Sequence, residues 1–344
     1  MKPLSLLIAS STLLVTSLSS AVFAETTPPK TDADMQKVLD ALASLNGKPI
    51  EDLDPGEARI QPTPADAVKK LLQDSGKSTA PDASISVKEI SIPGPFSPIP
   101  AYTFTPEGKG PFPVLIYYHG GGFVIANTKT YEASARALAK GAKAVVVSVD
   151  YRQAPENKFP AATDDAFAAY KWTLDHAKDI NGDAKHIAVG GESAGANLAT
   201  VVSLMARDKK VQLPVHQLLV YPVVSDDMSS PSYKLNEDAK PLNKDMMKWF
   251  FKYYAADPKN PYALPIKTDS LKGLPSATII TAEIDPLLSE GKAYADRLKV
   301  EGVNVDYREY KGVTHEFFGM GAVVKKAKDA EDFASANLKK AFAK

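Results

Sequence analysis

From residue 84 onward the apolar positions of the chain change their period. SISVKEISI (84–92) and PAYTFTP (100–106) alternate apolar and polar side chains on either side of the Pro/Gly-rich turn Pro93–Pro98, which predicts two antiparallel strands. Six short, mostly apolar runs follow: VLIYYH, AVVVSVD, HIAVGG, HQLLVYP, ATIITAE and VNVDYREY. Segments with helical content, such as TYEASARALAKGA and DDAFAAYKWTLDHA, separate them. Strands that are apolar throughout are buried on both faces, so this alternation predicts an α/β fold. Its central sheet is mostly parallel, with helices on both faces and an antiparallel edge in front. Upstream, DADMQKVLDALASL places Met35, Val38, Leu39, Leu42 and Leu45 at helical spacing, and PADAVKKLLQD does the same with Val68, Leu71 and Leu72. These two amphipathic helices lie outside the sheet region and are expected either to cap it or to pack on its core.

Composition narrows the classes. At 344 residues, 44% apolar and 24% charged, the chain has enough apolar surface for one large domain. Lys plus Arg equals Asp plus Glu at 41 each, so no net field draws the protein to nucleic acid or anionic lipid. There is no cysteine, hence no disulfide and no zinc-thiolate site. Lys2, the apolar run Leu4–Leu18 and the small residues of AVFA have the build of a secretory signal peptide. Residues 1–24 are expected to be removed after Ala24, leaving a periplasmic or secreted domain from residue 25. An uncleaved anchor is the alternative, disfavoured because the run is short for a spanning helix. No other segment is long and apolar enough to span a bilayer, so no stable membrane insertion is expected of the mature chain.

The chemistry-bearing stretch is VGGESAGANLAT (189–200). Ser193 sits between a strand and a helix with Gly191 and Gly195 on either side, where a sharp reversal leaves no room for side chains. GxSxG in this context is a nucleophile elbow, which exposes the serine oxygen at a strand tip above a helix N-terminus. A tight turn with a capping serine is the plain alternative. A serine hydroxyl needs a base, and the base needs an orienting acid. Of the five histidines, His176, His186 and His216 fall within helices or strands. His315, in YKGVTHEFFGM beyond the last strand, combines a place at the sheet's functional edge with a downstream position. Just past another strand, TAEIDPLLSEG offers Asp285 as the acid, with Glu283 in reserve, and the order Ser, Asp, His suits this topology. In YYHGGGF, the amides of Gly121 and Gly122, with that of Ala194, are candidates for an oxyanion hole. A nucleotide cradle is disfavoured there, because the Walker lysine and the GxGxxG spacing are missing.

HGGGF, DYRQAPENKFPAATDD, GESAGANLA, TAEIDPLLSEGKAYADRL and GVTHEFF together resemble the hormone-sensitive-lipase-like family of α/β-hydrolases, mostly bacterial carboxylesterases. The resemblance runs from about Asp34 to the C-terminus. It implies Ser193 as nucleophile, His315 as base and Asp285 as acid, with Gly121, Gly122 and Ala194 as oxyanion donors. It also implies a cap made of about 25–80 and an insertion at about 225–269. Phe123, Trp249, Phe250 and Leu287 are candidate pocket residues, and DMMKWFFKYYAADP in the insertion adds Met246, Met247, Phe251 and Tyr254, with packing between cap and sheet as the equal alternative for most of the insertion's side chains. Glu316 and Ala196 stand where the family commonly has glycine. A carboxylate beside His315 would raise its pKa or narrow the pocket. Asp150, Arg152, Asp164 and Asp165 are read as residues that hold loops by ion pairing and capping. The expected activity is hydrolysis of short- to medium-chain carboxylic esters through an acyl-enzyme. It needs no metal or organic cofactor and takes a small-molecule ester as substrate; a homo-oligomer is compatible with it. Amide, carbamate or lactone cleavage by the same apparatus, or a noncatalytic ligand-binding role on the same fold, are the rival readings.

Overall fold

A computed structural model describes residues 29–344, so the expected signal peptide, 1–24, lies outside the described residues. Eight strands form one sheet: β1 (Ile85–Ile92), β2 (Ile99–Pro106), β3 (Phe112–Tyr118), β4 (Val145–Val149), β5 (Gly182–Glu192), β6 (Gln217–Val220), β7 (Ala277–Ile284) and β8 (Val305–Thr314). Their order is β1-β2-β4-β3-β5-β6-β7-β8. β1 pairs antiparallel with β2 and β2 with β4, while β3 to β8 run parallel. The expected α/β architecture with its antiparallel edge is therefore present.

Strand periodicity divides the core. Ile116, Tyr118, Val147, Val189, Leu219 and Ile279 face one side, and Leu115, Tyr117, Val146, Ala188, Leu218 and Ile280 the other. The first side is covered by α5 (Ala161–His176), α6 (Ala194–Asp208) and α9 (Leu288–Val300), the second by α4 (Glu132–Ala142) and α10 (Lys325–Phe342). Every residue of α6 from Ala194 to Ala206 is buried, which explains its small and apolar composition all round. Ser193 stands at the N-terminus of this central helix.

The upstream helices do two jobs. In α1 (Ala33–Ser44), Met35, Val38 and Ala41 belong to the second core layer, and the Asp32 amide donates to the Gly312 carbonyl of β8 at 2.8 Å. Leu39 and Leu42 on the same helix line a chamber that the segment 225–269 walls on its other side. α3 (Pro64–Asp74) packs on α1 and starts with a Thr63/Asp66 capping box. The upstream segment also holds α2 (Pro55–Ala58), and the segment 225–269 holds a short helix, α7 (Pro231–Leu235), and a longer one, α8 (Lys244–Tyr254). Two bonds knit it to the upstream segment: the Trp249 indole N–H donates to the buried Leu53 carbonyl at 2.9 Å, and the Asn243 amide donates to Glu51 at 2.7 Å. Among the described residues, no helix is long and apolar enough to cross a membrane.

Candidate active site

The turn from β5 into α6 leaves Ser193 at φ 55° and ψ −117°, a conformation that L-residues adopt only under constraint. The constraint is visible: the Ser193 amide donates to the Val220 carbonyl at 2.9 Å, and the Ser193 carbonyl accepts from Asn197 at 3.1 Å. A Cβ on Gly195 would lie 1.9 Å from the Tyr118 carbonyl oxygen, and one on Gly191 would lie 2.4 Å from the Gly195 carbonyl carbon. Only glycine permits so close an approach of helix to strand.

β7 and β8 bring the second pair together. Their register sets Ile284 opposite Thr314, so the residues that follow each strand, Asp285 and His315, meet at the sheet edge. His315 Nδ1 lies 2.7 Å from Asp285 Oδ2, while Oδ1 accepts the Leu287 amide at 2.8 Å. Both side chains are buried. A carboxylate in this position fixes the imidazole tautomer, leaving Nε2 to face the cavity as acceptor. Burial disfavours the imidazolium, but the Asp285 charge and hydrogen bond, with Glu316 and Glu192 beyond, outweigh it and hold the His315 pKa above its ordinary value. Glu283, the reserve acid, is occupied elsewhere: it accepts the Gly312 amide at 2.8 Å and pairs with Lys311 at 3.1 Å.

After β3 the glycine loop turns under the cavity, with Gly121 at φ 93° and Gly122 at φ 58°. Ala194 is the first residue of α6, where an N–H has no intrahelical acceptor. The loop is held from outside by residues of the DYRQAP stretch. The Tyr151 hydroxyl donates to the His119 carbonyl at 2.8 Å, Gln153 Nε2 donates to the carbonyls of Ile125 (2.8 Å) and Ala126 (2.9 Å), and Asp150 accepts the Thr128 amide at 2.7 Å. Arg152 is paired with the fully buried Asp165 at 2.7 Å. Asp150, Arg152 and Asp165 are placed to hold loops in this way, Asp164 lies in the first turn of α5, and Gln153 adds a tie through two backbone carbonyls that sequence patterning does not reveal.

Ser193, His315, Gly121 and Gly122 line one cavity of about 80 Å³, closed on the far side by Leu242, Met246 and Phe250. A chamber of about 500 Å³ between the upstream segment and 225–269 shares Thr63, Pro64, Ile125, Ala126, Thr130, Pro241 and Met246 with it. Of the four expected pocket residues, Phe250 lines the small cavity, where its ring presses on Gly122. The other three do not line that cavity. Trp249 is turned toward Leu53, Phe123 is buried in a stack with Tyr254 at 3.8 Å, and Leu287 is fully buried in the core. An aromatic helix face offers several large side chains, and its rotation, set by the indole bond to Leu53, decides which one meets the cavity.

At the centre of the elbow lies an acid that motif spacing does not single out. Glu192 is fully buried and accepts the hydroxyls of Tyr117 and Tyr221. Burial, with the Glu316 charge adding to it, pushes its carboxyl up to about 8 against opposing hydrogen bonds. Tyr221 in turn places its ring 4.4 Å from that of His315. An acid inside the otherwise apolar VGGESAG run was the available signal.

An α/β-hydrolase fold family model matches residues 115–319. The chain is 38% identical over 269 residues to the carboxylesterase NlhH of Mycobacterium tuberculosis, covering 76% of this chain and 84% of that one. It is 31% identical over 275 residues to an ethyl acetate hydrolase of Pseudomonas putida, covering 76% and 86%. The crystal structure of a thermostable esterase from Pseudomonas putida ECU1011 superposes with a TM-score of 0.83 at 36% identity, over 92% of this chain and 99% of that one.

Proposed function

The chain belongs to the hormone-sensitive-lipase-like family of α/β-hydrolases and is a serine carboxylesterase, and from that premise we propose that Ser193, His315 and Asp285 perform the reaction. The observation that carries the assignment is the 2.7 Å bond between His315 and Asp285 beside a strained Ser193 on the wall of the same cavity. His315 Nε2 accepts the hydroxyl proton as Ser193 Oγ bonds to the ester carbon, and the carbonyl electron pair moves onto oxygen. The amides of Gly121, Gly122 and Ala194 hold that oxyanion. Its collapse breaks the bond to the alcohol oxygen, which takes the proton from His315 and leaves. Water then donates a proton to His315 and attacks the acyl-enzyme. The second collapse restores the Ser193 hydroxyl and releases the acid.

The small volume around Ser193 and the P. putida relative named for ethyl acetate both favour a short acyl side, with the larger group of the substrate extending into the 500 Å³ chamber. The described part of about 25–80, from residue 29, and about 225–269 act as the cap over that chamber. The mature enzyme starts at Glu25 in a periplasmic or extracellular compartment, a reading supported by the Lys2, Leu4–Leu18 and AVFA pattern. Edman sequencing of protein from the periplasmic or culture fraction is expected to begin at Glu25; an N-terminus at Met1 would contradict it.

Initial rates on p-nitrophenyl esters of graded acyl length test the function. Activity is expected to peak at short chains and to vanish in Ser193→Ala. Full activity in that variant would overturn the assignment.

A further inference from the structure

The small cavity has one carboxylate on its wall and, among the described residues, no lysine or arginine. That carboxylate is Glu316, and its placement is built. Its backbone sits at φ 69°, a left-handed conformation that a residue with a Cβ adopts at a cost. The Tyr131 hydroxyl is shared between its two oxygens at 2.7 and 2.8 Å, and a Cβ on Gly120 would strike that hydroxyl at 2.3 Å, so the glycine loop leaves the space the clamp needs. Glu316 Oε1 lies 3.7 Å from His315 Nε2, on the side of the imidazole that faces the cavity.

Nε2 is the atom that returns its proton to the departing alcohol, so a charge beside it lies beside the alcohol half of the ester. We propose that Glu316 is a specificity residue that favours esters of ammonium-bearing alcohols and disfavours those whose alcohol half carries an anion. The inference rests on the ester-hydrolase assignment of the same site. The neighbouring acids do not cancel it. Asp285 is engaged with Nδ1, on the other side of the His315 ring, and Glu192 is enclosed by Tyr117 and Tyr221. Lys48 and Lys240 line the outer chamber and not the small cavity, and Arg59 in that chamber is paired with Glu156 at 2.7 Å. Burial lifts the Glu316 pKa and His315 and the Tyr131 bond pull against it, so its charge is best read at mildly alkaline pH.

Three thioesters test this in one thiol-release assay: acetylthiocholine, its uncharged carbon isostere 3,3-dimethylbutyl thioacetate, and S-acetyl-3-mercaptopropionate. The wild type is expected to show the highest kcat/KM for the cation and the lowest for the anion. In Glu316→Gln, which keeps an acceptor for Tyr131, the cation-to-neutral ratio is expected to fall by roughly tenfold and the anion-to-neutral ratio to rise. Glu316→Gly, which suits the left-handed backbone, reads the same ratios if the first variant folds poorly. A wild-type preference for the anion, or ratios unchanged in a variant that still cleaves the neutral thioester, would overturn the selectivity alone. Failure of the wild type on all three would overturn the ester assignment with it.

Discussion

Replacing Gly121 by alanine perturbs the oxyanion loop without touching Ser193, His315 or Asp285. The residue sits at φ 93°, and an added Cβ would lie 2.2 Å from the Ile125 carbonyl oxygen and 2.8 Å from its carbon. Ordinary contact requires more than 3.4 Å, so the loop must open by about 1 Å. Ile125 cannot simply retreat, because its carbonyl also accepts from Gln153. The positive φ adds roughly 1–2 kcal/mol of strain. A displacement of that size withdraws one amide from the oxyanion, worth roughly 2.7–4 kcal/mol, or about a 10²–10³-fold loss in kcat. KM should change little, since the ground-state carbonyl leans less on these donors. Gly302→Ala is the control: Gly302 has φ 84° with no atom within 4 Å of an added Cβ, so it carries the strain alone. Steady-state kinetics and thermal melts of both variants are expected to show a modest loss of Tm at 302, a larger one at 121, and a loss of kcat only at 121. A folded Gly121→Ala enzyme with kcat within about threefold of wild type would refute the role assigned to the loop.

Asp285→Asn leaves the fold intact but removes the acceptor that fixes the His315 tautomer, and kcat is expected to drop on the order of 10³–10⁴-fold with KM nearly constant. The active form of His315 is neutral, so activity is present above its pKa and lost as pH falls through it. Because that pKa is raised, the acid limb of kcat/KM is expected above about 6.5. Glu316→Gln removes one of the charges that favour the imidazolium and should move the limb to lower pH. A limb that stays put would show that Glu316 does not act on His315. Trp249→Phe leaves the buried Leu53 carbonyl without its donor, at a cost of about 1–3 kcal/mol, and loosens the junction of the two cap segments. A lower Tm and a higher KM with kcat preserved are expected; an unchanged melt would show that the bond does not hold the cap.

The six parallel strands were legible because each carries a short, mostly apolar run between helical segments, and the topology then placed Ser193, Asp285 and His315 at strand tips on one edge of the sheet. What stayed hidden depended on contacts far apart in the chain. Tyr117 and Tyr221 meet at Glu192 only because β3 and β6 flank β5, and Tyr131 reaches Glu316 across 185 residues. Trp249 and Phe250 are adjacent and equally apolar, yet one ties the cap to Leu53 while the other lines the cavity. Periodicity identifies such a helix face, whereas its rotation is set by a partner almost two hundred positions away.

The central claim is that Ser193 becomes covalently acylated with His315 as its base. An aryl alkylphosphonate mimics the tetrahedral intermediate and forms a stable bond to an activated serine oxygen, so intact-mass and peptide mass spectrometry read the claim directly. The account predicts one adduct per chain, located on the peptide that contains Ser193, with activity lost in proportion to labelling and labelling abolished in Ser193→Ala and much slowed in His315→Ala. An adduct on another residue, or loss of activity without an adduct at Ser193, would contradict it.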